Sequence, residues 1–237
     1  MNPRRYTMGA RASAVADTRG RVVAAARELF VEGGFHRASV DELARRADVA
    51  RATVYHQFGS KLGVFEAVVR DFEERAGLGA LVRVVESAPP QGLLREAITA
   101  GCAYWATDPA LARKAIAMAS MQPEVQELLD RHDAGRLRLL NRLVDRLLEA
   151  GLLSDGCSPQ RAVDVLWLLT SFDAYDLLTR GRNLQQSEAA DTLVRLAENE
   201  LGPASASGER AGPPSQARPS AGSTSDATTA WVTEKRG

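Results

Sequence analysis

SVDELARRADVARATVYHQF, residues 39–58, reads as two short helices joined by a tight turn. In the first, Val40, Leu43, Ala44 and Ala47 recur at i, i+3, i+4 and i+7, a single apolar stripe on a helix. Ser39 stands just before that stripe and Glu42 three residues later, the spacing of a capping box. Asp48 and Val49 interrupt the pattern, and Val54 and Phe58 resume it at i and i+4. The second helix therefore has only a thin apolar edge and shows Arg51, Thr53, Tyr55, His56 and Gln57 on its other faces. These side chains are donors suited to phosphates and base edges. Two helices joined by three or four residues, the second polar and exposed, is the helix-turn-helix plan. Taken alone, the stretch also fits a helical hairpin whose polar residues merely face water, so the flanks decide.

Before the hairpin, residues 18–32 carry a helical stripe of Val22, Ala26, Leu29 and Phe30, with Asp17 or Thr18 placed to cap it. Gly33-Gly34 should end that helix, and Phe35 should turn back onto its stripe. After the hairpin, Gly59-Ser60 opens a further helix with Phe65, Val68, Val69 and Phe72 on its apolar face. Three helices over residues 18–58 make a small core, and the fourth leads out of it.

AAARELFVEGGF at 24–35, the hairpin at 39–58, and Ser60-Lys61 followed by Val64-Phe65 together resemble the TetR family of bacterial transcription regulators. The resemblance is close from Val22 to Phe72 and beyond that covers only the helical layout. Three departures stand out. Asp48 occupies a turn position where the family usually has Gly, and Asp tolerates positive φ better than most residues. Ala50 stands where the family has Ser or Thr, so the recognition helix has a weaker N-cap, or one supplied by Asp48. Leu62 and Gly63 follow Lys61 where an acid is common.

The resemblance implies roles for particular residues. Arg51, Ala52 and Thr53 would meet base edges, and Ser39, Tyr55, His56 and Lys61 would meet phosphates. The C-terminal domain would bind a small apolar or amphipathic effector and hold a homodimer. The dimer would use the last two helices, 159–180 and 187–201, with Leu166, Leu169, Leu177, Leu193 and Leu196 in the interface. The effector pocket would lie among the helices of 91–148 with a wall from the helix that begins at Pro159. Its candidate lining is Tyr104, Trp105, Met118, Met121, Trp167, Phe172 and Tyr175, since Met and aromatic side chains suit an adaptable apolar cavity. The implied function is a repressor of transcription, bound to a palindromic double-stranded operator and released by the effector. An activator, or an adaptor that binds protein without a ligand, is the alternative.

The rest of the chain agrees with an all-α protein. Its 237 residues suffice for two modest domains, and 45% hydrophobic with 25% charged residues is ordinary for a globular chain. Net charge is zero, yet residues 1–61 hold eleven Lys and Arg against six Asp and Glu, a basic head on an acidic body. Residues 77–90, with Gly77, Gly79, a short apolar run and Pro89-Pro90, read as a joint. Helices follow over about 91–107, 109–120, 123–150, 159–181 and 187–201, with Pro109 and Pro159 at N1 positions and Gly135 inside the long one. No stretch alternates at period two for long enough to be a strand. The resulting division is a flexible basic arm at 1–16, a helix-turn-helix DNA-binding domain at 17–62, a helical ligand-binding and dimerisation domain at 63–201, and a Gly/Pro/Ala/Ser/Thr-rich disordered tail at 202–237.

Cys102 and Cys157 make no disulfide framework or metal spacing, and neither metal nor cofactor is expected. No apolar run reaches the length of a membrane span and the first residues lack the apolar centre of a signal peptide, so a cytoplasmic protein with no membrane partner is expected. There is no G-x-S-x-G, H-E-x-x-H, P-loop or dinucleotide fingerprint. His36, His56 and His132 are far apart, and His132 and Asp133, adjacent in sequence, point to different helix faces. The chain does not read as an enzyme.

Overall fold

The computed structural model describes the backbone of residues 3–202 and the side chains of residues 13–202 other than His36. The tail expected at 202–237 lies outside the described residues from position 203 onward. Eleven α-helices and one π-helical turn make up the regular structure among the described residues, with no strand. They are α1 (Pro3–Arg37), α2 (Val40–Arg46), α3 (Arg51–Phe58), α4 (Lys61–Arg75), α5 (Leu78–Ser87), α6 (Leu93–Ala106), α7 (Pro109–Ala119), α8 (Pro123–Glu149), α9 (Pro159–Leu169), α10 (Phe172–Asp176) with the π turn Leu177–Gly181, and α11 (Gln186–Leu201).

Helix α1 starts at Pro3, well before the expected position 18, and the arm expected at 1–16 is helical from Pro3 on. The arm is rich in Ala and Arg, strong helix formers, with Gly9 a weak position among them. Thr18 is no cap here; mid-helix, its hydroxyl donates to the Ala14 carbonyl at 2.7 Å. The helix breaks at Gly34, whose φ of 70° lets Phe35 fold back. Phe35 then joins a buried aromatic cluster, with ring centroids 6.0 Å from Phe30 and 6.2 Å from Phe65, while Phe30 meets Phe65 edge-on at 5.2 Å.

The turn of the hairpin has Asp48 at φ 52°, the positive-φ position expected there. Ser39 caps α2 by accepting from the Glu42 amide at 3.1 Å, but Glu42 does not reach back to close a capping box. Its carboxylate is taken by Arg45 at 2.6 and 2.9 Å. Ala50 is the N-cap residue of α3 and supplies no side-chain bond, nor does Asp48. The lost cap costs about 1 kcal/mol. Arginines of α1 compensate at the other helix ends. Arg21 donates to the Ala47 and Asp48 carbonyls at 3.1 and 3.3 Å, and Arg19 donates to Gln57 O at 3.4 Å while lying over the Phe58 ring.

Three elements of the body depart from expectation. The joint at 77–90 contains a helix, because Gly77 in the left-handed region (φ 74°) stops α4 and lets the apolar run restart as α5. Helix α8 passes through Gly135 without a break. The single helix expected over 159–181 is broken at Thr170 and Ser171. There the hydroxyls bond backbone instead: Thr170 Oγ1 donates to Leu166 O at 2.7 Å, and Ser171 Oγ accepts from the Ala174 amide at 3.1 Å to cap α10.

The head does not close on itself at residue 62. Its apolar cluster continues through Val64, Phe65, Val68 and Phe72 of α4 to Leu111, Met118, Val125 and Leu128 of α7 and α8. Asp108 sits at this junction. It is 3% exposed, caps α7 by accepting from the Leu111 amide at 3.1 Å, and is paired with Arg27 of α1, with Arg75 at the end of α4 3.8 Å away. The hydrogen bond to Asp108 holds the Arg27 pKa above its ordinary value. Asp108→Ala is therefore expected to lower thermal stability by more than the ~1 kcal/mol of a lost cap, since it also strips Arg27 of its partner. Asp108→Asn keeps the cap and should fall between the two; thermal melts of the three proteins check the order.

Candidate nucleic-acid interface

The thin apolar edge of α3 is Val54, 1% exposed, which plugs the second hairpin helix into the core of the head. Phe58 packs beside it, and Gln57 is half-buried with its side-chain oxygen turned away from solvent. Arg51, Ala52, Tyr55 and His56 are exposed, and Thr53 is half-buried. Ser39 is exposed too, its hydroxyl oxygen engaged with the Glu42 amide.

The cations of the head are less free than their number implies. Arg51 lies 3.0 Å from Asp41 of α2, donates to the Tyr55 hydroxyl at 3.4 Å and stacks over the Tyr55 ring at 5.5 Å. These partners raise its pKa, the Tyr55 bond most. Lys61 does not stand free at the helix start. It is half-buried, its Nζ donates to Phe35 O at 2.8 Å and sits 4.0 Å from the Phe35 ring centre. Burial lowers its pKa, partly offset by Glu124. Arg46 pairs with Glu32 at 3.0 Å, and Arg19, Arg21 and Arg27 are spent on helix ends and Asp108. So most of the described cations of residues 13–61 are engaged within the head itself, a use that composition does not reveal.

A cavity of about 490 Å³ opens between α5, α6 and α8, within the ~300–1,000 Å³ range of small-ligand sites. Of the seven expected lining residues only Tyr104 and Trp105 line it. Met118 is buried in the head cluster, Met121 is 71% exposed, and Trp167, Phe172 and Tyr175 belong to the second core. The break at Thr170 explains part of this: it turns α10 away, so Phe172 backs the Trp105 ring at 5.5 Å instead of facing the space. The walls are supplied by Leu78, Leu81, Val82 and Val85 of α5, a stretch whose glycines and prolines disguise its helix as a joint, and by a charged run of α8. Tyr104 and Trp105 touch Phe72 of α4 at 4.9 and 6.3 Å, and His132 of α8 bonds Glu73 of α4 at 2.7 Å.

The expected interface leucines divide as sharply. Leu166 and Leu193 are 0% and 3% exposed within the subunit's own second core, because they lie on the stripes of α9 and α11 that face inward with Val163, Val194 and Ala197. Leu169 is half-buried. Leu177 and Leu196 remain 68% and 51% exposed, and Leu168, outside the expected set, is 66% exposed.

Residues 22–68 match the family model described as "Bacterial regulatory proteins, tetR family". The transcriptional regulator UidR of Escherichia coli (strain K12) is 41% identical over 59 residues, 25% of this chain and 30% of UidR. The transcriptional activator FasR of Mycolicibacterium smegmatis is 43% identical over 54 residues, 23% of this chain and 25% of FasR. The regulator EthR of the same species is 32% identical over 113 residues, 47% of this chain and 52% of EthR. The chain thus spans about half or less of the length of these relatives. The crystal structure of NalD, the secondary repressor of the MexAB-OprM multidrug efflux pump in Pseudomonas aeruginosa, superposes with a TM-score of 0.64 at 22% identity, over 80% of this chain and 98% of NalD. Salmonella enterica GusR gives 0.61 at 24% identity over 78% and 95%. At such identities the likeness is one of fold.

The position of Lys61 yields a measurable consequence. Lys61→Met keeps the stem and removes the ammonium, so it should lower the melting temperature through loss of ~1–2 kcal/mol from one hydrogen bond and one cation–π contact. An unchanged melting temperature would show that the ammonium does not hold Phe35.

Proposed function

We propose that this chain, whose residues 22–68 match the tetR family of bacterial regulatory proteins, is a cytoplasmic, sequence-specific DNA-binding regulator of transcription, a homodimeric repressor that a small molecule releases from its operator. The observation that carries the reading is α3: a helix held to the core by Val54 with Phe58 beside it, with Arg51, Ala52, Tyr55 and His56 exposed, inside the segment that matches the family model. No helix among the described residues is long and apolar enough to cross a membrane, and the matches are to regulators, not to an enzyme family. FasR, a transcriptional activator, supports a second reading in which the same DNA contact raises transcription.

In this reading residues 17–62 bind DNA and 63–201 bind ligand and partner subunit. Arg51, Ala52 and Thr53 enter the major groove, and Ser39, Tyr55, His56 and Lys61 lie along phosphates. Lys61 keeps donors to spare beyond the Phe35 carbonyl. Arg51 must leave Asp41 to grip a guanine edge, so a wrong base leaves it to return there, which sharpens discrimination. Two recognition helices must sit one DNA turn apart, ~34 Å, so any ligand that favours another spacing releases the protein. Helix α4 is suited to carry that change, since Phe72 and Glu73 meet cavity residues on one side while Val64 and Phe65 are part of the head core.

Arg51→Ala should relax preference at one position of each half-site by ~1–3 kcal/mol and leave non-specific binding largely intact. Anisotropy titrations with operator and scrambled duplexes at several salt concentrations measure both; equal losses on the two duplexes would sink the base-edge role.

The dimer reading places exposed Leu168, Leu177 and Leu196 against the partner subunit. Leu196→Arg should give a folded monomer in sedimentation, whereas Leu193→Arg should unfold the domain by burying an unpaired charge. A Leu196→Arg protein that stays dimeric when diluted would move the interface elsewhere.

A further inference from the structure

The cavity has unlike walls. Leu81, Val85 and Ala97 with the Trp105 ring are apolar, whereas α8 contributes Arg131, Arg136, Arg138 and Arg142 against only Asp133 of its own and Glu73 of α4. Some of this charge is already matched. Arg142 pairs with Glu86, and Glu73 is bonded to His132 at 2.7 Å. Arg136 differs from Arg131 and Arg138, which are exposed, in being largely buried. Its side chain is 21% exposed, its guanidinium stacks on the Trp167 ring at 4.1 Å, and it donates to Trp167 O and, at 3.1 Å, to Thr170 Oγ1. Both of those partners are neutral. The one carboxylate in range is Asp133, 4.0 Å away and 53% exposed. Burial holds the Arg136 pKa below that of an ordinary arginine, the mark of a desolvated cation that its surroundings under-compensate.

The neighbouring groups point the same way. Trp105 Nε1 donates to the Thr170 carbonyl at 3.0 Å, so the Arg136 guanidinium and the Trp105 indole meet at one residue and define one end of the cavity. Tyr104, whose ring packs on Trp105 at 4.9 Å, also lines the cavity, and its hydroxyl has no hydrogen-bond partner among the described residues. A planar cation with donors in a fixed fork and a free phenol suit a carboxylate, which accepts from both.

We propose that this cavity takes an amphipathic organic acid, its apolar body against α5 and α6 and its carboxylate on Arg136 and Tyr104. The inference rests on the effector reading above only for its regulatory meaning; the binding chemistry stands by itself. A cationic amphiphile is disfavoured because Glu73 is already bonded and Asp133 is half in solvent, where a pair contributes little.

The test is calorimetric titration of the full chain with three compounds sharing one tail: decanoate, decanamide and decylammonium. Decanoate is expected to bind at least about tenfold more tightly than either of the others. Arg136→Gln and Tyr104→Phe should each erase most of its advantage over decanamide, and Arg136→Lys should keep part of it. Arg136 also anchors the end of α9, so Arg136→Gln could unfold the body; Tyr104→Phe removes a single hydroxyl and keeps the test decisive. Decylammonium binding as tightly as decanoate, an advantage that survives both substitutions, or no binding of any of the three at millimolar concentration would each overturn the proposal. Operator binding is measured separately. Decanoate that binds without weakening the DNA complex leaves this site standing and sinks the effector reading, and a chain that never binds DNA sinks the regulator reading without touching the calorimetry.

Discussion

A buried carboxylate is tolerable only when it is paired and hydrogen-bonded, and Asp108 meets that requirement by joining three elements. It caps α7, accepts Arg27 from α1, and has Arg75 of α4 within 3.8 Å. Each partner belongs to a helix with a different task. Helix α1 backs the DNA-facing hairpin, α4 leads out of the head, and α7 packs against both the head cluster and the body. Because the charge is lost to water at 3% exposure, none of the three can shift far without leaving an uncompensated ion. The head is thus held in one orientation by a constraint whose violation is expensive, while the apolar contacts around it, which are non-directional, would tolerate sliding.

The same economy of charge governs the hairpin. The recognition helix begins at Ala50 without a side-chain cap and buries almost nothing but Val54. Its placement depends on arginines reaching over from α1 to carbonyls at the ends of α2 and α3, where the helix dipole favours a cation. A basic head therefore does two jobs. Arg19, Arg21, Arg27 and Arg46 position the reader, and a smaller set, with Arg51 foremost, remains on its outer face. In the proposed reading, electrostatic attraction to DNA would act through all of these charges at a distance, and contact would fall to the few that face out.

What the sequence made legible follows from how local each cause is. The hairpin, the positive φ at Asp48, the break at Gly34 and the cap at Ser60 depend on residues within a turn or two of one another. Gly63 belongs here as well. A Cβ at that position would collide with the Phe58 carbonyl oxygen, so the departure from an acid near Lys61 goes with the tight approach of α3 to α4. The misplaced details have non-local or competing causes. Leu193 and Leu196 are three residues apart on an amphipathic helix, and only packing against α6 and α9 decides that the first is core and the second surface. Thr170 and Ser171 carry a helical pattern of neighbours yet offer the backbone hydroxyl bonds that end the helix. The cavity is bounded by helices from four parts of the chain, so Met118 and Tyr175, apolar and well placed in sequence, end in packed cores on either side of it.

The position of α4 brings these threads together. Its first half, Val64 and Phe65, is buried with Phe30 and Phe35 in the head, and its second half presents Phe72 and Glu73 to Tyr104 and His132 at the cavity. A rigid helix held at both ends cannot adjust one end alone. If a guest displaces the Tyr104 ring, Phe72 loses a contact it makes at 4.9 Å, and the strain is relieved either by expelling the guest or by tilting α4. A tilt works directly against Arg75 and Arg27 at Asp108. The ligand's differential affinity for the two arrangements then has to exceed the cost of loosening that carboxylate, and a coupling of 1–3 kcal/mol is typical. Under the proposed function, the buried ion pair that fixes the posture of the head would also set how strongly a ligand must bind to change it.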